Sequence, residues 1–399
     1  MNNLLRGAYF MNQLQADIFG IFWIFLFFFM LFFYPRLLLY QLLDRFYKTS
    51  QLLDTLNQMG RKKILSKING REEEENEIKR FLNFFLIPPV SLDPFGIIKK
   101  LEHLINQEEE RFRNFASKVA KNLNEEEKWN FISALSAQIA LHNFSKIVKH
   151  YIQLIEKTKS YQLGFIIQMQ LPFIEKYSKA IYKAVEAFVS NHPIGDSVGP
   201  LLAASMMKNV AKEIDNSVYS IEKLKGKKVI VVKAKGPGAR VGRLGRVVEI
   251  LAKKFKVEKI ITVDAALKLE SEKTGEIAEG IGVAIGGIGV EKAIIEEVAT
   301  KNKIKLDSYV IKMSAEEALY SMKEEILNAA FEVKKMIEKN IEESKEKVIM
   351  VVGVGNTCGI PNNNNLDEVI KVIKRGSREI KKWEEEERKR EKSLWNFGI

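Results

Sequence analysis

Residues 229–251, VIVVKAKGPGARVGRLGRVVEIL, decide the fold class of this chain. The stretch begins as a β-branched run of strand length, passes through Gly236, Gly238 and Gly242, and ends in an apolar helical pattern. A strand, a glycine-rich loop and a helix in this order are typical of α/β proteins, where such a loop either binds phosphate or only turns the chain. The stretch by itself leaves both alternatives open.

The same succession of strand-length and helix-length patterns continues on the C-terminal side of this stretch. Val- and Ile-rich runs alternate with helix-length patterns over residues 225–378. This alternation predicts the α/β class, with a mostly parallel, Rossmann-like sheet covered by helices. We therefore predict an α/β ligand-binding domain over residues 225–378, followed by a charged C-terminal helix and tail over residues 379–399.

Glycine-rich segments recur around the predicted strands. Ligands of open α/β sheets bind beyond the carboxyl ends of the strands. Glycines let backbone N–H groups approach an anion, and a helix N-terminus favours negative charge. We therefore predict that a nucleotide or another phosphorylated small molecule binds there. The predicted contacts are Gly236, Gly238 and Gly242 after the first strand, Gly286, Gly287 and Gly289 before a helix, and Gly353, Gly355, Asn356 and Thr357 after the last strand.

Cationic side chains accompany the first of these loops. Lys235 precedes it, and Arg240, Arg243 and Arg246 recur every three residues. The three arginines would share one helical face if the helix begins near residue 239. Because guanidinium groups bind phosphate well, Lys235, Arg240 and Arg243 are predicted ligand contacts. The alternative interpretation is a solvated helix face.

Asp264 ends the second predicted strand, where dinucleotide-binding folds place an acid for the ribose hydroxyls. The first loop reads G-x-G-x-x-x-G rather than G-x-G-x-x-G, and Asp264 follows Gly238 by 26 residues instead of about 20. A dinucleotide is therefore an alternative ligand, and a dinucleotide-dependent oxidoreductase is an alternative function. Glu270 and Glu272 come soon after Asp264, and their carboxylates suit Mg²⁺ held beside a phosphate.

The sequence identifies no catalytic residue. No histidine occurs after His192, and the phosphate-loop signature G-x-x-x-x-G-K-[ST] is missing. Cys358 has no histidine near it in the sequence, which favours a small packing residue over a nucleophile. A binding protein and an enzyme therefore remain equal alternatives.

Residues 18–35 contain no charge and predict a transmembrane helix, which further apolar residues extend to position 43. Residues 1–17 form a short segment before it. A cleaved signal peptide is the alternative. The hydrophobic region of a signal peptide is shorter and ends at small residues, whereas this run ends in FFYPR. Arg36 and Arg45 outweigh Arg6 across the helix, which predicts a single pass through the cell membrane with the bulk of the chain in the cytoplasm.

Residues 44–224 carry apolar side chains at spacings of three and four and predict an α-helical domain. One stretch, NHPIGDSVGPLLAASMMKN at residues 191–209, departs from this pattern. There we expect Asp196 or Ser197 to cap the next helix. The alternative is a loop that meets the α/β domain, with Asp196 facing a ligand.

The net charge of +12 favours anionic partners such as nucleotides, nucleic acid or acidic lipid. No lysine- or arginine-rich block with interleaved aromatic residues occurs, which disfavours nucleic acid. A non-enzymatic membrane scaffold that binds nucleic acid or anionic lipid is a third alternative, with a steep salt dependence as its signature. The sequence is compatible with a homo-oligomer and does not determine the oligomeric state.

Three segments carry a resemblance to a known family: KAKGPGARVGRLG, VDAALKLESEKTGEIAEGIGVAIGGIGVEKAIIEE and VGVGNTCGI. The chain resembles an uncharacterised archaeal family of membrane-anchored proteins, classed as a domain of unknown function. The resemblance covers nearly the whole chain, including the N-terminal anchor and HPIGDSVGP. It implies archaeal origin and membrane attachment, and it supplies no activity, ligand or catalytic residue.

Overall fold

The computed structural model describes residues 19–86, 96–286 and 289–396. The predicted N-terminal segment 1–17, the first residue of the predicted membrane helix and Gly287 of the predicted site lie outside the described residues. The chain divides into two compact units. One unit comprises Met1–Thr55 and Asn143–Lys176, and the other comprises Leu56–His142 and Tyr177–Ile399.

An apolar helix opens the first unit. Helix α1 is described over residues 19–32, and one turn at Phe33 leads into α2 (Tyr34–Lys67). Pro35 is tolerated near the start of α2 because the first N–H groups of a helix lack intrahelical partners. Within the described part of the chain, the helix Phe19–Lys67 alone is long and apolar enough to cross a membrane, and its most apolar stretch is not buried in the protein.

Three further helices contribute to the first unit: α5 (Glu125–Thr158), α6 (Tyr161–Gln168) and α7 (Leu171–Val189). The boundaries between the two units fall within α2, α5 and α7. In the first unit, fully buried Phe46 and Leu53 of α2 and Val148 and Ile155 of α5 supply the core. In each helix the two side chains lie seven residues apart, which places them two turns apart on one face, as in an amphipathic helix.

The second unit begins with more helices, among them α3 (Glu72–Phe81) and α4 (Ile97–Val119). Phe112 of α4 and Phe131 and Leu135 of α5 lie in one buried cluster of this unit. The same cluster contains Ala239 and Cys358, which come from loops of the following sheet. The helices of this unit and the sheet therefore share a core.

Seven strands form one mixed sheet in the order β1-β2-β3-β7-β4-β6-β5. Strands β3, β7, β4 and β6 pair in parallel, whereas β1, β2 and β5 join through antiparallel pairs. The parallel middle confirms the predicted α/β class of this half. The strands are β1 (Lys212–Ile214), β2 (Ser217–Leu224), β3 (Lys227–Ala234), β4 (Lys259–Leu267), β5 (Ile277–Ile281), β6 (Lys305–Met313) and β7 (Val348–Gly353).

Helices cover both faces of this sheet. Side chains of β3 alternate between the faces: Val229 and Val231 pack with α8 and α12, whereas Ile230 and Val232 pack with α9 and α10. Continuous Val/Ile runs are therefore the signature of strands buried on both sides. The helices are α8 (Val198–Met206), α9 (Leu244–Phe255), α10 (Val290–Asn302), α11 (Ala315–Leu319), α12 (Glu324–Glu343) and α13 (Asp367–Asn396).

Four local expectations differ from the structure. The sheet starts at β1, so the predicted helical segment 44–224 ends at α8, and β1 and β2 lie before the expected boundary at residue 225. The run GVAIGG at residues 282–287 has the apolar character that predicts a strand, but its described residues are irregular, and the strand in this region is β5, which ends at Ile281. Helix α9 begins at Leu244 rather than near residue 239. The tail expected from residue 379 continues α13 without a break to Asn396.

Candidate functional site

The carboxyl ends of β3, β7 and β4 meet at one edge of the sheet. Lys233 pairs with Gly353, and Gly353 pairs with Val263, so the three strands reach this edge in one row. Asp264 is the next residue of β4, which continues beside β6 after β7 has ended. The structure thus brings Asp264 and the predicted loops after β3 and β7 to one edge.

The loop after β3 has the close backbone packing that its glycines predict. A side chain at Gly236 would overlap the carbonyl oxygen of Ile360, and one at Gly242, where φ is +72°, would approach Ser217 Oγ to 2.9 Å. Four N–H groups of this loop donate to side chains of this chain over 2.8–3.1 Å. These pairs are Gly236 with Asn362, Gly238 with Glu126, Ala239 with Asn130, and Arg240 with Thr357.

The cations of this loop have carboxylate partners as well. Both terminal nitrogens of Arg240 bind the Glu126 carboxylate, and its guanidinium lies 5.0 Å from the ring centroid of Trp129. Arg243 lies 3.3 Å from Glu109 and 3.9 Å from Glu291. Lys235 binds Glu213 at 2.7 Å. Because α9 starts after Arg243, the expected face of three arginines does not form: Arg240 is buried in the loop and only Arg246 is exposed on the helix.

Two open clefts flank the loop after β3. One, of about 590 Å³, is lined by Asn130, Asn191 and Pro237 among others. The other, of about 340 Å³, is lined by Arg113, Trp129, Lys235 and Arg240 together with acidic residues. Glu125 and Glu126 line both clefts. Volumes of this size suit small molecules, but in both clefts carboxylates stand beside the cations.

Asp264 is buried at the edge, and both its oxygens accept hydrogen bonds from the backbone. Oδ1 accepts from Ala265 N–H at 2.7 Å, and Oδ2 accepts from Gly286 N–H at 2.8 Å. Burial, together with the nearby charge of Asp196, raises the pKa of Asp264 to about 7. At neutral pH this carboxyl group therefore exists in both protonation states, and it can either donate or accept a hydrogen bond.

Asp196 comes from the short 3-10 turn Gly195–Ser197 that precedes α8. Its Oδ2 accepts from Asn356 N–H at 2.8 Å, and burial raises its pKa above the usual value. The expectation that Asp196 or Ser197 caps α8 is wrong: Ser197 is the N-cap but forms no side-chain cap bond, and Asp196 reaches the loop after β7 instead. The alternative, a loop that meets the α/β domain, is confirmed.

Glycines make this close approach possible. A side chain at Gly199 would overlap the carbonyl oxygen of Val354, and a side chain at Gly353 would overlap that of Gly199. Gly355 has a φ of +127°, and a Cβ there would overlap the carbonyl oxygen of Asp196. The turn before α8 therefore packs directly on the end of β7, which places Asp196 beside Asp264.

The other predicted contacts have different surroundings. Thr357 is buried, and its Oγ1 lies 2.6 Å from the carbonyl oxygen of Gly238, so it joins the loops after β3 and β7. Asn356 Oδ1 accepts from Cys358 N–H. Cys358 is fully buried, as expected of a packing residue, and burial raises the pKa of its thiol. Gly289 is the N-cap of α10 and faces open space, with a φ of +85°.

Of the two glutamates predicted to hold Mg²⁺ beside a phosphate, one has partners within the protein and the other is exposed, and their role stays a prediction. Glu272 binds Lys312, and its other oxygen accepts from Leu269 N–H at 2.7 Å. Glu270 is exposed on the same turn. Among the residues that the structure describes, no group of three or more His, Cys, Asp or Glu side chains is placed to hold a metal ion.

Sequence reasoning missed several residues of this edge. Glu126 stands in the run NEEEKW, which reads as a solvated helix start, and Asn362 stands in a polar turn of four asparagines. Asn362 accepts hydrogen bonds from Gly236 N–H and from the Lys233 ammonium at 2.8 Å. Lys233 itself is fully buried, which lowers the pKa of its amine to about 7. No local pattern separates these residues from their solvated neighbours.

Comparison with known proteins identifies the family of the chain. Residues 20–191 match the N-terminal domain, and residues 194–361 match the C-terminal domain, of the protein family of unknown function DUF1512. The chain belongs to this family, which confirms the resemblance noted in its sequence. The C-terminal match begins at Ile194, so the turn that carries Asp196 belongs to it. No curated protein matches the chain. Archaeal origin stays a prediction.

Proposed function

We propose that this DUF1512 protein binds a nucleotide or another phosphorylated small molecule at the carboxyl edge of β7 and β4. The observation that carries the proposal is the environment of Asp264. Asp264 lies one residue past the part of β4 that pairs with β7, its carboxyl group is held by the Gly286 and Ala265 N–H groups, and it stands beside Asp196. Residues whose pKa is shifted by burial and a nearby charge cluster at functional sites, which supports a binding site here.

The topology of the sheet supports this place. Helix α9 follows β3, and α10 follows β4 and β5 along the chain; both helices cover one face of the sheet. The chain that follows β7 packs Leu366 and Ile373 on the other face. The chain therefore leaves β7 toward one face, and leaves β3, and β4 after passing through β5, toward the other, which creates the crevice where open α/β sheets bind ligands.

Each part of the proposed ligand has a chemical counterpart at the edge. A sugar hydroxyl group suits Asp264, because a carboxyl group with a pKa near 7 can accept or donate a hydrogen bond. A phosphate suits the start of α10, where the N-cap Gly289 has no side chain to satisfy the first N–H groups. Gly286 connects the two, since its N–H group binds Asp264 and it precedes α10 by four positions.

The loop after β3 has a supporting role in this proposal. Its N–H groups and cations bind Glu126, Asn130, Asn362 and Thr357, so a phosphate would have to displace a carboxylate to bind there. The start of α9 is satisfied in the same way, because Gly245 N–H donates to Glu291 at 2.6 Å. We therefore assign the phosphate to α10 and keep Lys235, Arg240 and Arg243 as residues that shape the edge.

The Rossmann-like and dinucleotide alternatives draw little support from the strand order. In the usual dinucleotide-binding order the second parallel strand lies beside the first. Here β7 lies between β3 and β4. We accordingly propose a mononucleotide or a similar small phosphate ester rather than a dinucleotide, and we assign no reaction.

We also propose that α1 anchors the protein in the cell membrane by a single pass, with the C-terminal part in the cytoplasm. The apolar side chains of residues 19–34 are exposed on all sides, for example Ile21 at 67% and Phe25 at 70%. A helix that is apolar all round is stable in a bilayer and unfavourable in water. Arg36 and Arg45 on the C-terminal side favour the cytoplasmic orientation.

Ligand binding is tested by calorimetry on the full chain in detergent with ATP, GTP, NAD and inorganic phosphate. We expect a mononucleotide to bind, and Asp264→Asn to weaken that binding at least about tenfold. Asp307→Asn is the control, because Asp307 lies in the first half of β6, away from this edge. The absence of binding at millimolar concentrations would overturn the function, whereas binding that ignores Asp264→Asn would overturn the site.

Membrane anchoring and orientation have a separate test. A reporter that is active only in the cytoplasm, fused after residue 399, should be active and should fractionate with membranes. A reporter that is active only after export should be inactive in the same position. The reverse pattern contradicts the orientation, and release of a shortened soluble protein contradicts the anchor in favour of a cleaved signal peptide.

A further inference from the structure

Helix α6 and the start of α7 carry an exposed apolar patch in the first unit. The patch consists of Tyr161, Phe165, Ile166, Met169 and Phe173, whose exposure lies between 41% and 69%. Residues 160–174 contain no charged side chain. A surface of this size and character marks contact with a membrane or with another molecule, because exposed apolar side chains are otherwise scattered singly.

The patch lies close to the proposed membrane helix within the same unit. Gly164, on the buried side of α6, packs so closely that a Cβ there would lie 3.4 Å from Leu42 Cδ1 of α2 and 3.6 Å from Ile155 Cδ1 of α5. Leu42 follows Tyr34, at the end of the uncharged run, by eight residues, or about 12 Å of helix. The headgroup layer extends about 5–8 Å beyond the hydrocarbon, so on an untilted helix Leu42 lies about 4–7 Å beyond that layer, a distance that the long exposed apolar side chains of α6 can span.

We infer that α6 and the first turn of α7 lie in the headgroup layer of the same membrane that α1 crosses, with the patch inserted between the lipids. This inference rests on the proposed membrane anchoring. The protein would then contact its membrane twice, through a spanning helix and through an in-plane apolar segment. Such a segment fixes the tilt and rotation of the span, which a single helix cannot do by itself.

The charges around the patch fit a lipid surface better than a second copy of the chain. Lys157 and Lys159 precede the uncharged segment. Glu175, which pairs with Arg45 at 3.1 Å, follows it, and Lys176 comes next. Lysines at both borders of an apolar segment match anionic headgroups above and acyl chains below. Aromatic side chains such as Tyr161 and Phe165 suit the same depth, since amphipathic and aromatic rings concentrate at the membrane interface.

The inference is tested by spin labels on single introduced cysteines in the full chain, in vesicles of phosphatidylcholine and phosphatidylglycerol. Ile166→Cys and Phe173→Cys report on the patch. Phe28→Cys reports on the membrane helix, and Gln51→Cys, exposed on α2 farther from the span, reports on water. The native Cys358 is fully buried and does not label in the folded protein. Accessibility is measured to oxygen, which enters lipid, and to a water-soluble nickel chelate.

We expect the labels at positions 166 and 173 to favour oxygen over nickel, at a depth between those at positions 28 and 51. Nickel accessibility equal to that at position 51 would overturn the inference while leaving the anchor intact. Protection from both reagents would overturn it in favour of a protein contact. A water-exposed label at position 28 would overturn the anchor itself, and with it the inference.

Discussion

Glu126 of α5 extends its carboxylate to the loop that follows β3, where both carboxylate oxygens bind the guanidinium of Arg240. One of these oxygens also accepts from Gly238 N–H at 2.9 Å. A backbone N–H group and an arginine fork are the partners that a phosphate would have. The loop thus has the chemistry of an anion site, and in this structure its anion is a side chain of α5.

Glu126→Gln should lower the free energy of unfolding by about 2–3 kcal/mol. The neutral amide keeps the shape and can still accept from Gly238 N–H, but it leaves the buried charge of Arg240, which is 5% exposed, without its counter-ion. Stability of the full chain is measured by denaturant or thermal unfolding in detergent.

Glu125→Gln is the matched control for this change. Glu125 is the preceding residue, is 73% exposed and pairs with Lys128 at the surface of α5. Its substitution should change stability by less than about 0.5 kcal/mol. Equal effects of the two variants would contradict the conclusion that Glu126 joins α5 to the loop.

Arg243→Ala separates a ligand contact from a structural one. If Arg243 bound phosphate, its loss would weaken ligand binding about tenfold to a hundredfold. In the structure Arg243 stands between Glu109 and Glu291 and is 17% exposed. We therefore expect a loss of about 1–2 kcal/mol in stability and a nucleotide affinity that changes less than about twofold.

The pH dependence of this variant identifies its partner. Burial raises the pKa of Glu291, and Arg243 opposes that rise. Removing Arg243 lets the pKa of Glu291 rise further, so the part of the loss that comes from this pair is present while Glu291 is ionised and disappears as pH falls through its raised pKa. A loss of affinity without a loss of stability would restore Arg243 as a ligand contact.

Gly355→Ala should cost more than about 3 kcal/mol, because the new Cβ meets both an unfavourable φ of +127° and the carbonyl oxygen of Asp196. Gly282→Ala is the matched control: its φ is +120°, but a Cβ there would find open space. That variant should cost about 1 kcal/mol, the backbone strain alone. The difference between the two losses of unfolding free energy measures the packing of the turn before α8 on the end of β7, and equal losses would contradict that packing.

The strands that sequence reasoning found are those buried on both faces. Residues 229–232 of β3 are all fully buried, so their Val/Ile run is unmistakable. Strand β5 is exposed over most of its length and β2 contains Ser217, Ser220 and Glu222, so neither reads as a continuous apolar run. Strands whose apolar runs are interrupted by polar or exposed residues are therefore missed by a search for continuous apolar runs.

The position of the candidate site was predicted from the sequence, whereas the side chains that bind its loops were not. Sequence position alone places Asp264 and the glycine-rich loops at the ends of strands, because the carboxyl ends of parallel strands meet at one edge. It does not distinguish Glu126 from Glu125, since their difference arises from contacts with a loop more than 110 residues away. Asp196 was expected to make a local cap bond, and the structure gives it a distant one to Asn356.

Asp264 should make the stability of the protein fall as pH rises from about 4 to about 7. Its pKa in the folded chain is raised to about 7 from a usual value of 3.8, by burial and then by the charge of Asp196. Between these values the folded state binds a proton that the unfolded state has released, so each rise in pH favours unfolding. A shift of this size corresponds to at most about 4 kcal/mol across the window.

Asp264→Asn removes the titrating group, so the variant should show a flatter dependence of its unfolding midpoint on pH, whatever its absolute stability. Midpoints measured from about pH 4 to pH 8 decide the matter, and an unchanged slope in Asp264→Asn would show that this carboxyl group is ionised throughout and hence cannot donate a hydrogen bond to a ligand at neutral pH.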